Sequence, residues 1–128
     1  MPLNLLLVAL GGAVGSMARY LTGVAAGRAF GLKFPYGTLT ANILGGLLMG
    51  MLVGVLALRG GEHQDRWRLL VAVGFLGGYT TFSSFSLELA RMVETKAWGQ
   101  ALGYSFGSVI AGVGAVFLGM FLMRKLLA

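Results

Sequence analysis

The sequence predicts an all-α integral membrane protein of four transmembrane helices, the third of them broken at its centre. Three observations carry this. The uncharged runs Tyr36–Leu58 and Ala97–Met123 each exceed the roughly 20 apolar residues that cross a bilayer. Only 11% of the 128 residues are charged and 57% are hydrophobic, whereas about a quarter of a soluble domain is charged. Inside a third apolar segment stands the stretch Gly77-Gly78-Tyr79-Thr80-Thr81-Phe82-Ser83-Ser84-Phe85-Ser86. Paired glycines and a hydroxyl run weaken a helix, because glycine gives it no side-chain support and Ser and Thr offer the backbone local alternatives. At membrane depth such an interruption survives only where it is buried in protein or lines a wet cavity. In broken helices of that kind, freed carbonyls bind a cation and half-helix N-termini favour an anion. The stretch therefore marks a site for an ion.

The first helix is predicted from about Leu3 to Ala26. It lacks the basic leading region of a signal peptide and reads as a retained crossing. Gly11 and Gly15 form a small-xxx-small pair that lets another helix approach closely. Arg19 interrupts the apolar run near its end. It is either a snorkelling side chain reaching lipid phosphate or a positive charge in a vestibule that draws in an anion.

A loop with Arg28 and Lys33 leads through Pro35 and Gly37 into the second helix, from about Thr38 to Leu58. Gly46, Gly50 and Gly54 give it a close-packing face. Thr38 and Asn42 are its polar positions. A carboxamide in hydrocarbon is costly without a partner, so Asn42 either bonds another helix or presents its NH2 group to a pore.

The second loop, with Gly60, Glu62, His63 and Asp65, holds too few ligands for a metal site and reads as solvated. The third crossing is predicted over about 67–93, with its break near 77–81. In its second half Phe82 and Phe85 share a face. That spacing usually means packing, but beside a break the positive ring edges can meet an anion. Glu88 lies about a turn inside the end, where it snorkels or pairs with Arg91. The fourth helix is predicted from about Trp98 to Met123, with Gly103, Gly107 and Gly112 on close-packing faces and Tyr104 and Ser108 placed to offer two hydroxyls to one path. Tyr20, Tyr36, Trp67 and Trp98 suit interfacial belts.

Charge adds a topological expectation. Arg59, Arg66, Arg68, Arg124 and Lys125 fall on one side, and Arg28, Lys33, Arg91, Lys96 and Arg19 on the other. With no bias to orient it, such a chain can insert both ways, and opposed copies can pair about an in-plane two-fold axis. An antiparallel, dual-topology homodimer is the expectation. The chain carries no basic water-exposed face with interleaved aromatics for nucleic acid, and no cysteine for thiolate chemistry.

Three stretches resemble the Fluc/CrcB fluoride channels: Gly12-Ala-Val-Gly-Ser-Met-Ala-Arg19, Gly37-Thr-Leu-Thr-Ala-Asn42, and Gly74-Phe-Leu-Gly-Gly-Tyr-Thr-Thr-Phe-Ser-Ser-Phe-Ser86. The likeness covers essentially the whole chain. It departs at Ser84, where many relatives have Thr, and the hydroxyl survives. The resemblance implies a dual-topology homodimer in the plasma (inner) membrane, with two fluoride pores along its interface. It implies a structural sodium ion held by the carbonyls of Gly77 and Thr80 from both subunits, and a fluoride path lined by Phe82 and Phe85 with Asn42. It places a polar track at Tyr104, Ser108, Thr38, Ser83, Ser84 and Ser86, and a vestibule arginine at Arg19. Passive conduction follows, since the chain has no nucleotide motif and no buried acid pair for proton coupling. A small multidrug-type exporter would need a carboxylate in the first helix, which has none. A non-transporting scaffold accounts for the glycine faces but not for Asn42 beside a broken segment. An intramembrane enzyme would need a base–nucleophile pair that no segment offers.

Overall fold

Nearly every residue of the computed structural model, which describes residues 2–59 and 61–127, is helical. Gly60 of the second loop lies outside the described residues, as do Met1 and Ala128. Four helices are long and apolar enough to cross a membrane. Helix α1 spans Pro2–Phe30 and α2 spans Tyr36–Arg59. The third crossing is composite. A 3-10 turn at Gly61–His63 leads into α3 (Gln64–Trp67), a π-helical segment (Arg68–Leu76), α4 (Gly77–Tyr79) and, after an interruption, α5 (Ser83–Glu94). Helix α6 spans Trp98–Leu127.

Helix α1 runs past Ala26 because nothing stops it until Gly31. That residue adopts φ +88°, and its amide closes on the Gly27 carbonyl at 2.9 Å. Helix α6 runs past Met123 through Arg124 and Lys125, good helix formers whose charge suits a C-terminus. Helix α5 ends in a Schellman motif: Ala97 N–H reaches Met92 O at 2.8 Å and Lys96 N–H reaches Val93 O at 3.0 Å. Lys96, rather than a glycine, takes the left-handed position there, with φ 60°.

Two packing arrangements position everything else. Helices α2 and α6 lie against each other along most of their length. A Cβ on Gly46 would come within 2.8 Å of Gly112 O, and one on Gly54 within 2.8 Å of Met123 Cβ. Gly103 and Gly107, expected on a close-packing face, look onto open space in the single chain, and Gly119 takes that role against α2. Helix α1 packs on the π-helical segment and α4. A Cβ on Gly11 would collide with Leu70 O, one on Gly15 with Phe75 O, and one on Gly78 would lie 2.7 Å from Gly12 O. These contacts are backbone on backbone.

The break falls later than the glycines suggest. Gly77 and Gly78 are still helical, and the chain leaves the helix at Thr80, whose φ and ψ are −87° and 160°. Gly78 serves close approach to α1 rather than helix rupture, whereas a Cβ on Gly77 would meet only Ala72 O, at 3.7 Å. The π-helical segment, a geometry common at functional sites, lies where α1 presses on it and has no signature in the sequence.

Candidate functional site

The interruption is held open by a side chain from another helix. Asn42 Nδ2 donates to Thr81 O at 3.1 Å, and Thr81 N–H donates to Asn42 Oδ1 at 2.9 Å. One carboxamide thus pairs with one peptide unit through both of its groups. The consequence is a rerouting of donors. In an uninterrupted helix Thr81 N–H would close on Gly77 O, and Ser84 N–H on Thr80 O. Here the first goes to Asn42 and the second to Thr81 Oγ1 at 3.1 Å. The Thr81 hydroxyl, one residue before the N-cap position Phe82, thus satisfies a free first-turn amide of α5. The carbonyls of Gly77 and Thr80 lose their helical donors together.

Helix α1 braces the break from the other side. Arg19 Nε donates to Gly78 O at 3.1 Å, and the hydroxyls of Thr22 and Tyr79 are 2.8 Å apart. Thr80 Oγ1 turns back onto Leu76 O at 2.8 Å.

A groove of about 540 Å³ runs along this face, lined by Asn42, Gly77, Thr80, Phe82, Phe85 and Ser108 among others. It gathers six of the residues expected at the site. Phe82 stands 78% exposed, its ring centroid 6.1 Å from that of Phe85. Phe85 packs on Tyr104 with centroids 4.9 Å apart. The Ser108 hydroxyl is buried and has no hydrogen-bond partner.

Thr38 and Tyr104 lie outside the groove and meet on Glu88. Glu88 accepts from Thr38 Oγ1 at 3.1 Å and from Tyr104 Oη at 3.2 Å. This replaces the expected snorkelling or pairing with Arg91. Of the hydroxyl run, Ser83 approaches Thr81 Oγ1 at 3.3 Å and Ser84 takes part through its amide. Ser83, Ser84 and Ser86 are not among the side chains that line the groove.

Toward the loop end, a cavity of about 720 Å³ is lined by Arg19, Arg28 and Thr38 with Gly23, Gly27 and Gly37. A second, of about 450 Å³, carries Lys33, Glu88, Arg91 and Gln100 and shares Thr38 with the first. Both open beside cationic side chains, so the local potential favours an anion. In the second loop His63 and Glu62 lie 3.9 Å apart and are largely exposed. Among the described residues no three His, Asp or Glu side chains cluster to hold a metal. The oxygen set suited to a hard cation is the rerouted carbonyl pair, Gly77 and Thr80.

Sequence reasoning passed over Thr81 and Glu88, and over Thr22 and Tyr79, which brace the break without lining the groove. Thr81 had a local signal, since a threonine three residues before a serine at a helix start can accept from its amide. The other three are defined by partners on different helices, which spacing along one helix does not reveal.

The family described as CrcB-like protein, Camphor Resistance (CrcB), matches residues 6–120. Among curated proteins, the chain is 59% identical to the "Fluoride-specific ion channel FluC" of Phenylobacterium zucineum (strain HLK1), over 97% of this chain and 98% of that one. It is 56% identical to the protein of the same name from Caulobacter sp. (strain K31), over 96% of both chains. Identity to the one from Mesorhizobium japonicum (strain LMG 29417 / CECT 9101 / MAFF 303099) is 46%, over 96% of this chain and 98% of that one.

Proposed function

Because the chain belongs to the CrcB family, we propose that it is a passive fluoride-specific ion channel, a multi-pass protein of the bacterial inner membrane and not an enzyme. The observation that carries the reading is the groove at the broken crossing, where Asn42, Phe82, Phe85 and Ser108 converge. Fluoride is small and strongly hydrated, so a selective path must replace its water with close partners that release it again. Asn42 commits one Nδ2 proton to Thr81 and keeps a second for an anion. Ser108 holds a hydroxyl with no other partner, whereas those of Tyr104 and Thr38 point to Glu88. The ring edges of Phe82 and Phe85 add weak positive contacts. Arg19, in the lining of the cavity of about 720 Å³, raises the local anion concentration. Fluoride enters cells as neutral HF and ionises inside, so a passive path suffices to vent it.

The working unit is an antiparallel homodimer with two pores. In its favour, basic residues are balanced between the two ends, and the single chain leaves the groove open and Phe82 exposed. A structural sodium at the centre fits the chemistry of the rerouted carbonyls. Gly77 and Thr80 would hold it, and the bound ion would supply positive charge that ties two breaks together.

Fluoride efflux from liposomes loaded with the purified protein tests the channel reading, with chloride efflux as control. Fast fluoride loss without chloride loss is expected. No fluoride flux from folded protein in sodium buffer would overturn the reading and favour a scaffold.

A further inference from the structure

We propose that Thr22 and Tyr79 are a positioning pair that sets the cation preference of the broken crossing. The inference rests on the sodium reading above and goes beyond it by naming side chains that touch no ion. Each of the four residues from Gly78 to Thr81 is tethered by a side-chain bond. Gly78 O takes Arg19 Nε, Thr80 Oγ1 returns to Leu76 O, and Thr81 pairs with Asn42. Tyr79 is tied through its own hydroxyl to Thr22, at 2.8 Å. Of the tethers that reach another helix, this one alone joins two side chains, so it fixes the rotation of the helix end without taking a carbonyl.

Placement makes that rotation matter. Tyr79 lies between Gly77 and Thr80 in sequence, directly before the residue where the helix ends. Its ring is 6% exposed and is stacked on Phe75, with centroids 5.9 Å apart and planes 9° apart. Thr80 packs its methyl group against Gly45, where a Cβ would also lie 3.6 Å from Tyr79 Cδ2. A ring stacked on Phe75 and anchored at its tip holds the axis of α4 against α1. The carbonyls of Gly77 and Thr80 then keep one spacing. A cage that does not relax discriminates by ion size, while a loosened one adapts to a larger cation. With Tyr79 buried and Thr22 half-buried, the bond is stronger than one in water.

A bland account is that a buried tyrosine needs a partner for its oxygen. The two accounts differ in one measurement: the melting midpoint of purified protein titrated with sodium, potassium or lithium, against a bulky organic cation as blank. Sodium is expected to stabilise the unaltered protein most. In Tyr79→Phe and in Thr22→Val the preference for sodium over potassium, read as the ratio of half-saturating concentrations, falls at least fivefold. The double variant falls no further, and Thr22→Ser restores the preference. Fluoride efflux in saturating sodium stays within about threefold of the unaltered protein. Equal lowering of the midpoint in every cation, with the ratio unchanged, would overturn the positioning role and leave the sodium reading standing. An unaltered protein indifferent to all three cations would sink the sodium reading and the pair with it, while fluoride efflux would still report on the channel by itself.

Discussion

The two halves of the third crossing are built by different rules. The first half, up to Tyr79, is apolar and packs backbone to backbone on α1, with Gly78 against Gly12 and Gly74 against Gly11. The second half, α5, is amphipathic. Its start is fixed by polar bonds from Asn42 and Thr81, and its length by the Thr38–Glu88–Tyr104 contacts and a small cluster around Met92. Close packing leaves no room for a side chain at Gly74 or Gly78 on the face that meets α1, while Val73 on another face stays 45% exposed. Hydrogen bonding holds α5 while Phe82 stays 78% exposed. Scaffold and pathway are thereby divided between two halves of one crossing.

The sharpest way to break the comparison is to overfill the first half. In Gly78→Val the new side chain meets Gly12 O and Ser16 N, backbone atoms that cannot step aside. A loss of at least about 3 kcal/mol, the upper part of the overpacking range, is expected. It would be seen as little folded protein in detergent by size exclusion, and a normal folded yield would refute the backbone-contact account. In the second half the reverse is expected. Phe82→Ala folds almost normally yet loses fluoride efflux by tenfold or more. Phe85→Ala does the same with some loss of stability, since it also gives up the Tyr104 contact. Full efflux in both would remove the ring-edge argument.

At the junction, Asn42→Ala deletes both bonds to Thr81 and strands its peptide groups, costing about 1–3 kcal/mol. Asn42→Asp keeps the acceptor for Thr81 N–H and loses the donor, so its melting midpoint should fall between those of the alanine variant and the unaltered protein. Equal midpoints for all three would mean that the break holds itself open. The smallest effect is a control at the far end of α5. Lys96→Gly relieves a left-handed φ of 60° and should stabilise by about 0.5–1 kcal/mol, with efflux unchanged.

Much of this architecture was legible in the sequence. Apolar length marked four crossings, and the stretch from Gly77 to Ser86 marked the interruption. What the sequence misassigned was the job of Gly78. It looks like a helix breaker, but a glycine at a helix contact also lets a neighbouring backbone in, and only the neighbour decides between the two. The π-helical segment from Arg68 to Leu76 had no local signal, because it arises where α1 packs on the crossing. Asn42 was recognisable as a polar group in need of a partner. That its partner is the Thr81 peptide, 39 residues away, depends on how α2 faces the third crossing. Glu88 was hidden for the same reason, since its two donors come from α2 and α6.

The Asn42–Thr81 pairing also changes what counts as the signature of this site. The rung that holds the break belongs to α2, so inserting one residue between Gly37 and Asn42 would turn the carboxamide by about 100° around that helix. The stretch from Gly77 to Ser86 would be untouched, yet its opening would lose its support. A chain read by that stretch alone would pass as intact. The motif is bipartite, and its two parts mean little unless they are found in register.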